Sequence, residues 1–335
     1  ASKYDLAKNR SRSHDEHSLH TAATGQLTSY TKSMSMDDGS IASEYGMEIM
    51  SGRTRNAIPY SAHTFKAGDH TFTVSSSSRP VARATKSPPK NLDNAIAELP
   101  PELRRLLKHH APSVSFSKLV AVIKSGKLSN GTDGSVIAGE GTFSWVIQQN
   151  RTTIWEGYGY VPGSSDQTTS YRTEMFGLTA LLLFLTTVCQ VANITKCKYN
   201  PETFCDNKSA VIRENESKTK LRGTGRHLAA DYDIESVMRN VVSKAPFTNN
   251  TQWVKGHQDD DLPYDMLSPE AQLNVLADEL AGIAQEDRPS AKPSIPHREQ
   301  VYDSERIALF IGDTKITTNM KSHIIEAAHT KELRQ

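Results

Sequence analysis

The stretch Phe204-Cys205-Asp206-Asn207-Lys208-Ser209-Ala210 places a carboxylate where a predicted strand gives way to a helix. The segment 199–204 is predicted to be the strand, and the helical pattern starts just after Asn207. In open α/β sheets, ligands bind beyond the carboxyl ends of the strands. Asp206 is therefore the first candidate for a functional residue.

The pattern on both sides of Asp206 predicts strands and helices in the order βββ-α-β-α-α-β-α. Alternating residues indicate strands, and apolar residues at helical spacing indicate helices. The main segments are 132–135, 142–147, 153–160, 174–188, 199–204, 209–212, 227–242, 251–254 and 268–284. The fold class expected is α/β, with a mixed five-stranded sheet of three antiparallel and then parallel strands, flanked by helices.

Three further carboxylates stand in comparable settings. Asp133 lies in Thr-Asp-Gly-Ser, Glu174 in Tyr-Arg-Thr-Glu-Met, and Asp278 in Leu-Ala-Asp-Glu-Leu. Oxygen ligands alone favour a hard cation such as Mg²⁺, and three or four acids suit a site for two ions. Two ions about 4 Å apart support in-line phosphoryl displacement, which is nuclease chemistry. We expect Mg²⁺, with Mn²⁺ as the alternative, and no small-molecule cofactor.

Four segments are predicted along the 335 residues. Residues 1–95, rich in Ser and Thr, form a low-complexity, mostly irregular leader. Residues 96–129 form a basic helical connector, residues 130–286 the nuclease domain, and residues 287–335 a linker with a small hairpin and helix tail. Ten basic and three acidic residues lie between Arg79 and Lys127, and this stretch is either a solvated linker or a phosphate contact.

Composition excludes several classes of protein. The mean hydropathy of −0.53 and the 36% hydrophobic content indicate a local core rather than packing throughout. Three cysteines without a CxxC pair indicate neither a disulfide framework nor a zinc site, so Cys205 is expected to be a buried small residue. The apolar run 178–185 is too short to cross a bilayer, and no secretory signal opens the chain. We expect an intracellular protein, nuclear or cytoplasmic, with no membrane partner.

Five pieces of the sequence between Asn130 and Glu286 resemble ribonuclease H domains. A single Asp-Gly-Ser is usually only a turn, but five pieces in this order are not expected by chance. They are Thr132-Asp133-Gly134-Ser135 followed by Gly141-Thr-Phe-Ser-Trp145, Arg172-Thr-Glu174-Met-Phe-Gly-Leu178, the stretch 204–210, Trp253-Val-Lys-Gly-His257 and Asn274-Val-Leu-Ala-Asp278.

The resemblance implies an RNA–DNA hybrid substrate and a role for each matched residue. Asp133 would bridge both ions, Glu174 and Asp206 would complete the cage, and Asp278 would hold the second ion. His257 would assist proton transfer or product release. The residues expected to contact the hybrid are Ser135, Gly141, Thr169, Ser170, Asn207, Lys208, Arg213, Lys218, Lys220 and Arg222.

The sequence departs from the family pattern at two places. Ser170-Tyr171 replaces a pair of asparagines common before the first helix, and the loop between His257 and Asp278 is long and acidic. The opening and tail motifs are similar to ribonuclease H domains of retrotransposon reverse transcriptases. Because there is no polymerase motif, we expect either a carboxyl-terminal portion of a reverse transcriptase or a domesticated descendant. The absence of an initiator Met indicates a processed product or a fragment of a longer reading frame, and the expected partner is a reverse transcriptase domain missing from this chain.

Two competing hypotheses remain. One is a catalytically silent ribonuclease H-like module that serves as a nucleic-acid-binding or structural subunit. The other is a different nuclease of the same broad superfamily, such as an integrase or exonuclease. Four retained carboxylates argue against the first, because a site released from catalysis could relieve their mutual repulsion by losing one. A Glu between the first Asp and the strand-end Asp argues against the second.

Overall fold

The computed structural model describes most of the chain beyond residue 90. The described residues are 91–163, 165–198, 200–217, 229–288, 300–302, 304–305, 308–311, 314–320 and 322–323, together with the backbone of four earlier strands.

The strands and helices are numbered here in chain order. The strands are β1 Tyr30–Met36, β2 Gly39–Gly46, β3 Tyr60–Ala67, β4 His70–Ser77, β5 His109–Pro112, β6 Ser129–Ile137, β7 Glu140–Gln149, β8 Thr152–Tyr160, β9 Glu202–Cys205, β10 Asn250–Trp253, β11 Ala308–Ile311 and β12 Thr314–Ile316. The α-helices are α1 Leu92–Ala97, α2 Pro101–Arg104, α3 Phe116–Ser125, α4 Ser170–Val191, α5 Lys208–Ser217, α6 Tyr232–Lys244 and α7 Pro269–Glu286.

A mixed sheet in the order β10-β9-β6-β7-β8-β5 forms the centre of the fold. β6, β7 and β8 form an antiparallel meander, while β9 runs parallel to β6 and β10 runs parallel to β9. The predicted α/β class and the order βββ-α-β-α-α-β-α are confirmed.

The sheet has six strands, so the expected five is wrong by one. The added strand, β5, pairs antiparallel with β8 through His109–Pro112, inside the segment expected to be a helical connector. Its sequence His-His-Ala-Pro has no apolar alternation, and a proline is tolerated only because β5 lies at the edge of the sheet. Pairing with β8, rather than local preference, makes this segment a strand.

A second sheet has the order β1-β2-β3-β4-β11-β12, with antiparallel pairs throughout. Four of its strands lie in residues 1–95, where a mostly irregular leader was expected. In β1 the Ser and Thr residues alternate with Tyr30, Lys32, Met34 and Met36, so the period of two is carried by a short, mixed set of side chains rather than by a sustained apolar pattern. The hairpin expected around residues 312–313 is confirmed as β11 and β12, and the helix expected through Ile324 and Ile325 lies outside the described residues.

Helix α4 lies in the main hydrophobic core and packs against the central sheet. Residues 172–189 are all buried, as expected for a helix that is apolar on every side. By length and composition this helix could cross a membrane, but 89% of its most apolar 18-residue stretch is buried inside the protein. Thr169 caps the first turn, because its hydroxyl accepts a 3.1 Å hydrogen bond from the amide of Arg172.

Helices α4 and α7 pack on opposite faces of the sheet. Phe143 and Trp145 on β7 belong to the core cluster that contains α4, whereas Val146 belongs to the cluster that contains α7. Successive residues of a strand point to opposite faces, which separates the two clusters. Both helices therefore reach the same strands from different sides.

A buried ionic cluster ties the tail of the chain to α4 and α6. Arg172 donates to Asp231 at 2.8 Å and to both carboxylate oxygens of Asp233 at 2.8 and 2.9 Å. Lys315 on β12 lies 3.4 Å from Asp233 and 2.6 Å from Glu305. All five side chains are at most 5% exposed.

The cluster holds three acids against two bases, and the pKa values of its carboxyls reflect that excess. Burial raises the pKa of Asp231 to about 6 although Arg172 opposes the shift. Burial also raises the pKa of Glu305, again against an opposing cation, Lys315. For Asp233, burial is outweighed by Arg172 and Lys315, which lower the pKa below its ordinary value. Asp233 is thus the most strongly paired carboxylate of the cluster.

We expect Lys315→Met to lower the free energy of unfolding by about 3–5 kcal/mol, because it leaves Glu305 buried without its cation. Urea unfolding followed by circular dichroism measures the loss. Adding Glu305→Gln should restore part of it. Lys255→Met removes an exposed ion pair with Asp261 and should cost less than about 1 kcal/mol. Equal losses for Lys315→Met and Lys255→Met would contradict the role of the buried cluster.

Candidate active site

The register of the sheet brings Asp133 and Asp206 side by side. Thr132 on β6 pairs with Cys205 on the parallel strand β9, so each strand delivers its aspartate one residue later. Parallel neighbours point their carboxyl ends the same way, which is why residues 73 positions apart meet. Asp133 is 5% exposed and Asp206 is half-buried.

Helix α4 supplies the third carboxylate across a glycine. A Cβ on Gly134 would lie 2.6 Å from the amide nitrogen of Glu174 and against the hydroxyl of Thr173. Only a residue without a side chain lets the helix pass this close to β6. Glu174, 2% exposed, is thereby brought close to Asp133 and Asp206, whose negative charges add to the effect of burial in raising its pKa.

Helix α7 supplies the fourth carboxylate through a serine anchor. Ser144 pairs with Asp133 across β6 and β7, and its hydroxyl donates a 2.5 Å hydrogen bond to the carbonyl of Ala277. Ala277 directly precedes Asp278, which is half-buried and lies close enough to Asp133 to add to the effect of burial in raising the pKa of Asp133. The four predicted carboxylates, far apart in the chain, therefore converge in one place.

Three of the converged acids, Asp133, Glu174 and Asp206, have raised pKa values. Burial raises the pKa of Asp133 well above its ordinary value, and the negative charge of Asp206 raises it further. Burial raises the pKa of Glu174 well above its ordinary value too, with contributions from Cys205, Asp133 and Asp206. For Asp206, burial raises the pKa while hydrogen bonding to Glu174 and the charge of His257 oppose the rise. Within the described part of the chain, no Lys or Arg forms an ion pair with these three acids.

A divalent cation fits this donor set. Carboxylate oxygens are the ligands preferred by hard cations, and among the described residues no Lys or Arg pairs with Asp133, Glu174 or Asp206 to compensate their charge. The ligand atoms of Glu174, Cys205 and Asp206 lie within 4.8 Å of one another, and among the described residues Asp133 and Asp278 do not belong to so tight a group.

Cys205 is a neighbour of the site that the sequence analysis missed. It is fully buried, as expected, but its thiol donates a 3.6 Å hydrogen bond to the Oε2 of Glu174. Burial raises the pKa of Cys205 to about 12, so the thiol stays protonated and serves as a donor. Its position at the end of β9, directly before Asp206, was the available signal.

His257 lies at the exposed side of the acids. The backbone of His257 is in the left-handed region, with φ 51°. A Cβ added at the preceding residue, Gly256, would collide with the Oδ2 of Asp206. The glycine lets the Trp-Val-Lys-Gly-His segment approach Asp206, and His257 acts electrostatically on that carboxylate. The acids of the loop that follows His257 are exposed, namely Asp259, Asp260, Asp261 and Asp265. Asp261 pairs with Lys255 at 3.0 Å.

The residues predicted to contact nucleic acid fall into three groups. Ser135, Thr169, Ser170, Asn207 and Lys208 are exposed or half-buried. Lys218, Lys220 and Arg222 lie outside the described residues. Gly141 packs against the side chains of Thr168 and Thr173, and Arg213 forms ion pairs with Glu216 and Glu235.

Packing accounts for the glycine at position 141. It is buried, and a Cβ there would lie 2.6 Å from the Cγ2 of Thr168 and 2.8 Å from the Cγ2 of Thr173. Arg213 is held by Glu216 at 3.3 Å and by Glu235 at 3.6 Å. A hybrid contact by Arg213 would therefore have to compete with two carboxylates.

No family model and no curated protein matches the chain. Among solved structures, the chain is similar to the N-terminal RNase H domain of a Mycobacterium tuberculosis protein, with 16% identity over 48% of this chain and 94% of that chain and a TM-score of 0.32. It is also similar to an RNase H1 isolated from compost by a metagenomic approach, with 18% identity over 48% and 97% and a TM-score of 0.32. A complex of the same RNase H1 with an RNA/DNA hybrid shows 16% identity over 48% and 98% and a TM-score of 0.34.

We expect Asp133→Asn to stabilise the metal-free protein at neutral pH. A carboxyl whose pKa is raised on folding contributes stability that is present below its ordinary pKa and lost as the pH rises through the folded value. Above pH 7 the free energy of unfolding of the variant should exceed that of the parent by about 1 kcal/mol or more. Thermal unfolding in EDTA at pH 5 and pH 8 measures this, and a larger gain at pH 5 than at pH 8 would contradict it.

Gly134→Ala should destabilise the protein by about 1–3 kcal/mol, because the added Cβ pushes α4 away from β6. It should also weaken divalent-metal binding, measured as the metal-induced rise in melting temperature. Gly282→Ala on α7 is the matched control, since a Cβ there meets nothing within 4 Å. That control should gain up to about 1 kcal/mol from helix propensity. Indistinguishable melting of the two variants would refute the close approach of α4.

Proposed function

We propose that this chain is a divalent-metal-dependent endonuclease that hydrolyses the RNA strand of RNA–DNA hybrids by a two-metal mechanism. The convergence of Asp133, Glu174, Asp206 and Asp278 carries the proposal. The substrate follows from the resemblance of the five sequence pieces to ribonuclease H.

In this proposal the acids hold Mg²⁺, with Mn²⁺ as a substitute. When bound, a pair of such ions supplies an activated water and charge stabilisation for the leaving oxygen. Asp133 interacts with all three other acids and is suited to bridging. Glu174 and Asp206 complete the cage on the α4 and β9 side, and Asp278 holds the second ion on the α7 side.

The remaining residues position the substrate and move protons. His257 is exposed beside Asp206 and can carry a proton to or from the leaving group at the mouth of the site. Thr169, Ser170 and Asn207 present polar groups at the N-terminal ends of α4 and α5, where anionic phosphate is favoured. Lys208 adds a positive charge beside them.

We further propose that the domain derives from a retroelement reverse transcriptase and works inside the cell, in the nucleus or cytoplasm, with a reverse transcriptase domain as its partner. The opening Thr-Asp-Gly-Ser and Phe-Ser-Trp motifs support this origin. The silent-module hypothesis has less support, because a module without catalysis has no reason to keep four mutually repelling acids together.

The test is cleavage of a labelled RNA–DNA hybrid by the purified chain in Mg²⁺. Asp206→Asn should lower kcat/KM at least about 100-fold, since losing a ligand removes several kcal/mol of charge stabilisation. Asp261→Asn, which removes an exposed loop carboxylate, should leave the rate unchanged.

Equal cleavage by the wild-type chain and Asp206→Asn, or no cleavage by either, would refute the enzymatic function. Tight hybrid binding without metal-stimulated turnover would instead favour the silent module.

A further inference from the structure

Trp253 is exposed at the edge of the site. It is the last residue of β10, the edge strand of the central sheet, and 51% of its surface is exposed. The chain has three tryptophans, and the other two, Trp145 and Trp155, are 0% and 4% exposed. A large aromatic side chain left open to water forgoes the burial that its two counterparts have.

The indole ring is fixed in place by the backbone of a site residue. Its Nε1 donates a 2.7 Å hydrogen bond to the carbonyl of Asp206, and Trp253 pairs with Cys205 in the parallel register. The polar atom of the ring is therefore satisfied, and the exposed part is its apolar surface. An aromatic ring held in one orientation can stack with little loss of conformational freedom.

A cation accompanies the ring. The Nζ of Lys208 lies 5.9 Å from the centroid of Trp253, and Lys208 is exposed two residues beyond Asp206. A flat apolar surface next to an ammonium group matches a nucleotide, which joins a base to a phosphate. Proteins dock less readily on such a surface, because charged residues are depleted from the centres of protein interfaces.

We propose that Trp253 and Lys208 form a nucleotide platform, in which Trp253 stacks on a terminal or unpaired base of the nucleic acid that enters the carboxylate site and Lys208 binds an adjacent phosphate. The platform rests on the proposed function for its substrate. Because it is anchored to the carbonyl of Asp206, it would set the register of the bound strand relative to the four acids.

Acrylamide quenching of tryptophan fluorescence tests the platform. The readout is specific, because Trp145 and Trp155 are buried and Trp253→Phe should abolish the quenchable fraction. An RNA–DNA hybrid is added in Mg²⁺ to Asp133→Asn, which keeps the hybrid intact. Saturating hybrid should protect Trp253 from acrylamide.

Affinity measurements provide the second readout. Trp253→Ala should raise the Kd for the hybrid about 5- to 150-fold, the range for one stacked base, and Trp253→Phe should raise it less. Lys208→Gln should weaken binding and reduce the salt slope by about one. Ile283→Ala is the matched control, since Ile283 is 49% exposed and lies on α7. It should bind like the parent.

Unchanged quenching at saturating hybrid, or unchanged affinity in Trp253→Ala, would overturn the platform. Protection of Trp253 by raising the protein concentration alone would indicate contact between copies of the chain and also overturn it. If the wild-type chain cuts the hybrid while Trp253 stays quenchable, only the platform fails. Protection without cleavage refutes the nuclease and supports the platform, and absence of any hybrid binding refutes both.

Discussion

Burying a carboxylate is expensive unless a cation or hydrogen-bond donors compensate it, and helix α4 buries Glu174 against two other acids. Asp133 and Asp206 are presented on adjacent parallel strands, so their separation is set by the spacing of the sheet and cannot relax. The Cys205 thiol, which donates a hydrogen bond to Glu174, offsets part of the repulsion. The rest of the fold has to hold the acids together against what remains.

Three features of the fold supply that restraint. Gly134 lets α4 approach β6, Ser144 fastens α7 through the carbonyl of Ala277, and Gly256 admits the His257 segment against Asp206. Each is a small residue beside a site residue, and each acts by permitting a close approach or making one short hydrogen bond. Enlarging any of them would separate the acids, and at Gly134 it would also push α4 away from β6.

Much of the site could be predicted from the sequence because its residues lie at places where local pattern changes. Asp206 follows a strand and precedes a helix, and Glu174 begins a run of apolar residues at helical spacing. What local pattern could not reveal depends on partners distant in the chain. β5 is a strand because β8 is available for pairing, and the contact of Cys205 with Glu174 depends on how α4 packs on β9.

Helix α4 carries two buried charged residues, Arg172 and Glu174, which have opposite electrostatic surroundings. Arg172 is matched by Asp231 and Asp233, so its charge is compensated within the chain. Among the described residues no Lys or Arg pairs with Glu174, which lies near Asp133, Asp206 and the protonated thiol of Cys205. Elsewhere this fold does place a cation next to a buried acid, since Arg172 and Lys315 both pair with buried carboxylates. The missing compensation at Glu174 is therefore best understood as a site for cations from solution, and the same helix that anchors the tail of the chain presents the acids that would bind them.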